Sequence, residues 1–407
     1  MQCREQLFHL LAEAAELEHN ILCSYLYAVF SLKQHESEDL TPRELAVVNG
    51  WRDQLMGLCI EEMVHLAQVS NLLVAVGARP HFNRPNLPVA PGYHPADIVI
   101  KLAPLDLETL DHFIYLERPE EAQLGDSAEF IEDTADVPRP VVPPDTLMPH
   151  APQYATIGAF YQRLREGLER AAVDQGEARL FCGPADMQLQ PQELKAPELV
   201  VVTDLASARN AIEFIVVQGE GSSGERESSH FQRFQEMRQQ FVDLREARPA
   251  FVPHRPVARN PVMHPPQHED RVHVNGRRAA PVLDAANATY SVMLRCLAQL
   301  YEVPTGRAGQ RQARLGASLA AMKVLGLLAT ELTTLPAQDG GAVHAGVSFA
   351  MLRSTEGLVT GAAARAVLLE RFGEIAARLP SLGVAAAAIQ PMVAALNAAM
   401  AALERAG

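Results

Sequence analysis

The sequence predicts a mainly α protein: a four-helix bundle with a long crossover containing short β elements, then a C-terminal helical domain. Three observations carry this. Apolar residues recur at helical spacing over about 5–32, 42–76, 155–173, 205–220 and 225–247, proline concentrates between those stretches, and Ala-rich helical spacing returns after residue 282.

The first stretch stops in the polar KQHESEDL, and the second restarts after Thr41-Pro42, a helix cap followed by a first-turn proline. Together they read as a helical hairpin. Gly77 and Pro80 end the second helix, and the proline-rich crossover that follows, about 78–153, holds strand-like pieces such as DIVIKL. After the helix near 155–173, two helices joined by the Gly-rich EGSSGE make a second hairpin. The expected division is a bundle domain over 1–248, a proline-rich linker or wrapped arm over 249–281, and a helical accessory domain over 282–407. A chain of 407 residues is long enough for a large core and an accessory region.

A formal net charge of −14 with no Lys/Arg-rich run argues against nucleic-acid partners. Five cysteines without CxxC spacing argue against a disulfide framework and a thiolate zinc site, and fit reduced thiols in the cytoplasm. The N-terminus has no apolar signal core and no run approaches 18 uninterrupted apolar residues, so no membrane association is expected.

The chemistry-bearing pattern is Glu-x-x-His. A Glu and a His three apart share one helix face, and two such pairs plus two lone carboxylates supply the ligand set of a dimetal site in a bundle core. The pattern occurs at Glu16/His19, Glu62/His65 and Glu227/His230. On the first helix Leu7, Leu11, Ala14, Ile21, Tyr25, Val29 and Leu32 form the apolar stripe, which Glu18 completes; Glu16 falls on a polar face with Glu13 and Asn20. His19 belongs to a neighbouring stripe and reads as a core histidine. On the second helix Glu62 and His65 interrupt the face of Leu55, Leu58, Leu66, Val69 and Leu73, whereas Glu61 falls toward Gln54 and Gln68. Glu227 and His230 begin the stripe continued by Phe231, Phe234, Phe241 and Leu244.

The remaining carboxylate is assigned to Glu220, beside the Gly-rich turn and level with Glu227. Glu213 lies roughly 10 Å further along the same helix, and Glu166 sits on a polar stripe with Gln162 and Glu169. Four buried carboxylates with two histidines would repel one another unless cations neutralised them. One His per metal in an oxygen-rich set suits iron, with manganese as the alternative.

At these residues the sequence resembles a known family. The segments LEHNILCSYLYAVFSL, EEMVHLAQVSNLLVAVGARP, IGAFYQRLREGL, VVQGEG and ESSHFQRF are similar, in order and context, to the ferritin-like domain at the front of the iminophenyl-pyruvate dimer synthases, the VioB, RebD and StaD type proteins of bisindole biosynthesis. The resemblance covers most of residues 1–250 and implies a ferritin-like bundle in bacterial natural-product biosynthesis. It also implies oxidative coupling of amino-acid-derived imines, although this chain is shorter than the best-known dimer synthases.

The resulting expectation is a stand-alone ferritin-like non-haem diiron oxidase or oxygenase, with Glu18, Glu62, His65, Glu220, Glu227 and His230 binding two iron ions. Its expected partners are O2, a small-molecule substrate, and either further copies of itself or a partner biosynthetic enzyme. The alternatives are a ferroxidase or iron-storage role and a non-catalytic scaffold role.

Overall fold

The computed structural model describes residues 4–89, 92–94, 98–131, 146–151, 153–219, 229–265, 270–353 and 358–406. Helices α1 (Arg4–Ser31) and α2 (Pro42–Ala75) form the hairpin. The cap expected at Thr41 is a reciprocal box: its Oγ1 accepts from Glu44 N at 3.3 Å while Glu44 Oε2 accepts from Thr41 N at 2.7 Å, with Pro42 in the first turn. Gly77, at φ 96°, turns the chain out of α2 in a conformation that favours glycine.

The crossover contains more than strand-like pieces. Within DIVIKL, Ile100 forms one antiparallel bridge with Val89, a short β element of the kind expected there. A helix the sequence reading did not anticipate follows, α3 (Leu107–Leu116), capped by Asp106 Oδ1 accepting from Thr109 N at 2.8 Å. Then come α4 (Ile157–Gln175), the short turns α5 (Glu177–Leu180) and α6 (Pro191–Leu194), α7 (Leu205–Gly219) and α8 (His230–Ala247), the last capped by Ser229.

The hairpin is the spine, and two helix pairs cover its opposite halves. The first half of α1 and the second half of α2 share an apolar cluster with α4 and α7, through Leu11, Val69, Leu164 and Ile212. The other halves share a cluster with α3 and α8, through Tyr25, Leu55, Phe113 and Phe234. Four helix termini therefore meet at the seam: the C-terminal ends of α3 and α7 and the N-terminal ends of α4 and α8.

The C-terminal region is also helical, with α9 (Ala279–Leu300), α10 (Ala308–Leu332), α11 (Ala362–Arg378) and α12 (Ala386–Arg405). Its apolar side chains belong to the same cluster as the α3/α8 half of the bundle, and α10 packs on α1. The proline-rich arm between them is wrapped against the core. Lys33 N donates to Pro253 O at 2.9 Å, Arg255 N to Ser31 O at 2.8 Å, and Ala258 N and His344 N reach across to His344 O and Pro256 O, each at 2.8 Å. Arg255 joins the arm to both regions by pairing with Glu38 at 2.6 Å and Thr333 at 2.8 Å. Among its described residues the arm contains a parallel pair, β1 (Pro261–Val262) and β2 (Val272–His273).

The segments Pro42–Ala75, Thr305–Leu332 and Ala386–Arg405 are long and apolar enough to cross a bilayer by length and composition. The most apolar window of α2 is 83% buried, so the bundle interior accounts for its hydropathy, while that of α12 is 28% buried and leaves an Ala-rich outer face.

Phe251 in the arm is fully buried, 6.2 Å from Trp51, the sole tryptophan, and 5.6 Å from Phe241, on which Trp51 stacks. Phe251→Ala should therefore cost about 3–5 kcal/mol. Urea denaturation followed by Trp51 fluorescence measures it; a change below about 1 kcal/mol would mean that the arm contributes little to the core.

Candidate metal centre

At the seam, α1 contributes Glu18 and α2 contributes Glu62 and His65, one helical turn apart on the inward face. The last residue of the α3 turn contributes Glu117, and the first residue of α8 contributes His230. All five are buried, from 0% exposure at His230 to 7% at Glu117. His65 Nδ1 lies 3.0 Å from Glu62 Oε2 and 3.5 Å from Glu18 Oε2. His230 Nδ1 lies 2.9 Å from Glu62 Oε1 and 3.5 Å from Glu117 Oε1. Two groups of ligand atoms result, Glu18/Glu62/His65 and Glu62/Glu117/His230, each with all its atoms within 4.8 Å of one another. Glu62 is common to both, one oxygen facing each imidazole.

Four of the five are held from behind. Tyr161 Oη donates to Glu18 Oε1, and Tyr25 Oη donates to Glu117 Oε1 at 2.5 Å. His65 Nε2 meets Gln218 Oε1 at 2.8 Å, and His230 Nε2 meets Glu61 Oε2 at 2.8 Å. Both partners are acceptors, so the outer nitrogens carry protons and both Nδ1 atoms face the carboxylates. Arg233 grips both oxygens of Glu61. A Cβ on Gly219 would stand 3.1 Å from Glu117 Oε2, so the absence of a side chain there gives that carboxylate room.

This donor set fits a pair of metal ions. His230 Nδ1 is buried and without a hydrogen-bond partner among the described residues, although two carboxylate oxygens lie within 3.5 Å. An Nδ1 aimed at carboxylates in a dry interior must either hold a proton or meet a metal cation in its place. Oxygen-rich coordination with one imidazole per position suits iron or manganese.

Of the residues expected from the sequence, Glu18, Glu62, His65 and His230 come together here. Glu220 and Glu227 lie outside the described residues. Glu213 is exposed on α7, and Glu166 is spent on Arg163 at 3.2 Å and Arg170 at 3.8 Å. His19 faces away, with Nε2 2.6 Å from Tyr290 Oη, and Glu16 pairs with His81 at 2.8 Å and Tyr93 at 2.6 Å. Sequence reasoning missed Glu117, Glu61 and Tyr161. A signal for Glu117 existed: Leu110, Phe113, Ile114 and Glu117 follow i, i+3, i+4, i+7 spacing after a good cap at Asp106.

The model of the family described as Ferritin-like matches residues 11–239, more than half of the chain. The chain belongs to the ferritin-like family. It is 27% identical over 411 aligned residues to dichlorochromopyrrolate synthase of Lentzea aerocolonigenes, covering 92% of this chain and 38% of that protein. It is also 27% identical to 2-imino-3-(indol-3-yl)propanoate dimerase of Chromobacterium violaceum, covering 84% of this chain and 33% of that one. The ferritin-like chain thus spans between a third and two fifths of the length of these relatives, which are named as biosynthetic enzymes acting on small organic molecules. A crystal structure of a ferritin-like protein from Caulobacter vibrioides matches with TM-score 0.53 and 20% identity, covering 84% of this chain and 98% of that one, a likeness of fold.

Without metal the buried charges distort one another's protonation. Burial, with the charge of Glu62, raises Glu18 from 4.5 to about 7 against the opposing pull of His65. Burial alone would lower His65, but Glu62 and Glu18 push it from 6.5 up to about 10, and Glu62 and Glu117 likewise raise His230 well above the usual imidazole range. Glu62 is held well below the carboxylate range because both imidazoles outweigh its burial. A raised folded pKa means that the folded state holds the proton more tightly. The contribution of His65 is complete below the unfolded value of 6.5 and is lost as pH rises through about 10, that of His230 has the same sign, and that of Glu18 is lost between 4.5 and about 7. The contribution of Glu62 has the opposite sign, present above 4.5 and lost on acidification below it. The urea midpoint of metal-free protein should therefore fall steadily from about pH 6.5 to about 10, and His65→Gln should flatten the fall. A midpoint that rises over that window would contradict the arrangement.

Proposed function

We propose that Glu18, Glu62, His65, Glu117 and His230 hold two iron ions, with manganese the alternative, and that the centre oxidises a small organic substrate with O2. The observation that carries the reading is Glu62, a buried carboxylate whose two oxygens face two imidazoles that each have a further carboxylate of their own. When bound, such a metal pair supplies Lewis acidity and redox exchange with O2.

The chain's own side chains supply the rest. Gln218 and Glu61 fix the ring orientations of His65 and His230 through their outer N–H groups. Tyr161 and Tyr25 hold one oxygen each of Glu18 and Glu117, stopping these carboxylates from rotating and keeping a proton at hand at the phenol. Ile21, Leu116, Ile157, Ile215 and Val216 line the recess beside the carboxylates and exclude water from the reacting groups. The recess is narrow, with a cavity volume of about 20 Å³, room for about one water-sized molecule such as O2.

The name of one curated relative, 2-imino-3-(indol-3-yl)propanoate dimerase, supports a substrate of the α-imino acid class derived from an aromatic amino acid. In an oxidative coupling, two such molecules would each lose one hydrogen as a carbon–carbon bond forms between them. O2 would take up the two electrons and two protons. Because the chain covers a minor part of those relatives, a simple two-electron oxidation of one imino or amino acid is the other outcome the same site accommodates.

Metal-free protein given ferrous iron without oxygen should retain about two irons per chain. Glu62→Ala should abolish retention of both, Glu117→Gln should lower it toward one, and Glu213→Ala should leave it unchanged. Elemental analysis after desalting reads this directly, and wild-type protein that retains no iron would defeat the proposal. On admitting O2, the ferrous protein should be oxidised without turning over further iron, and its oxidation should quicken when an aromatic α-imino acid is present. Oxidation of many iron equivalents per chain would support the storage role instead.

A further inference from the structure

We infer that the two metal positions are unequal, and that the one formed by Glu62, Glu117 and His230 fills first and binds more tightly because Glu61 backs His230. This rests on the dimetal reading above and concerns the order and strength of binding within it.

Among the described residues the two positions offer the same types of donor. Each has one imidazole presenting Nδ1, one oxygen of the shared Glu62, and one further buried carboxylate. Each of those further carboxylates accepts a hydrogen bond from one buried tyrosine, Tyr161 on Glu18 and Tyr25 on Glu117. The outer nitrogens are also held at the same distance, 2.8 Å.

The acceptors behind them differ. His65 donates to Gln218, a neutral amide at the end of α7, whereas His230 donates to the Glu61 carboxylate. An anionic acceptor draws the Nε2 proton toward itself, which makes Nδ1 a stronger donor to a metal, and charge-assisted hydrogen bonds are roughly twice as strong as neutral ones. Glu61 also cannot turn away, because Arg233 holds both of its oxygens. The guanidinium weakens the field of Glu61 without cancelling it, since the ring proton contacts the carboxylate itself and the pair is partly open to solvent, at 17% and 24% side-chain exposure. Residues 61 and 62 are neighbours on α2, so one helix supplies the shared ligand and, one residue earlier, the group that strengthens the ligand across the seam.

The test is an anaerobic titration of Co2+ into metal-free full-length protein, followed by calorimetry and visible absorption. Wild type should bind in two steps, the first about 10-fold or more tighter. His230→Ala should remove the tight step and His65→Ala the weak one. Glu61→Gln, which keeps a hydrogen-bond acceptor but removes the charge, should bring the two affinities within about 3-fold of each other. Gln218→Glu makes the converse change and should tighten the second step, so the inference remains testable if Glu61→Gln disturbs folding by circular dichroism. Two ions of equal affinity, a first ion lost in His65→Ala, or an unchanged gap in Glu61→Gln would overturn this inference and leave the dimetal reading standing. Wild type that takes up no Co2+ would overturn both.

Discussion

The structure depends on one electrostatic constraint: three carboxylates and two imidazoles are buried at a single point of the bundle. Moving an ion out of water costs on the order of several kcal/mol even after relaxation, so such a cluster persists only where the charges neutralise one another or a cation joins them. In metal-free protein the imidazoles retain protons to meet Glu62 and Glu18. Metal ions would take the place of those protons, and the same geometry serves both states because His65 and His230 already present Nδ1 inward.

The rest of the bundle supplies a place where these charges can meet. Long α1 and α2 run through the seam without a break, while α3, α4, α7 and α8 all begin or end there. Glu18, Glu62 and His65 come from the unbroken helices, and the rest from helix ends: Glu117 follows α3, Gln218 is in the last turn of α7, and His230 opens α8. A helix end positions a side chain while leaving the adjoining backbone free to turn, and the recess opens between these termini. The two apolar clusters on either side clamp the seam from both directions, so rigidity comes from packing remote from the ligands.

The C-terminal helices and the proline-rich arm bear on the site indirectly. They cover the side of α1 that a bundle of this kind would leave to solvent, through contacts such as His19 with Tyr290 and Tyr27 beneath the arm. With the crossover, whose His94 meets Asn20 at 2.9 Å, they leave α1 buried on nearly its whole circumference, including Glu13 and Asn20, which the sequence placed on a polar face. Periodicity reports which face is most apolar; it does not report that a second layer will cover the opposite one.

By itself the sequence determined the bundle helices apart from α3, the hairpin cap at Thr41 and four of the five side chains gathered at the seam. Glu18, Glu62, His65 and His230 interrupt apolar stripes, and a charge within such a stripe is visible without coordinates. Tertiary structure alone decided the rest. Glu117 reaches the site from a ten-residue helix inside a proline-rich crossover, where short periodicity is outweighed by the flanking breakers. Glu61 lies on the polar face of its own helix and acquires its role only because α8 starts opposite it. Spacing along one helix specifies which side chains share a face, but which helix end arrives across from that face depends on long-range packing, and no local pattern encodes it.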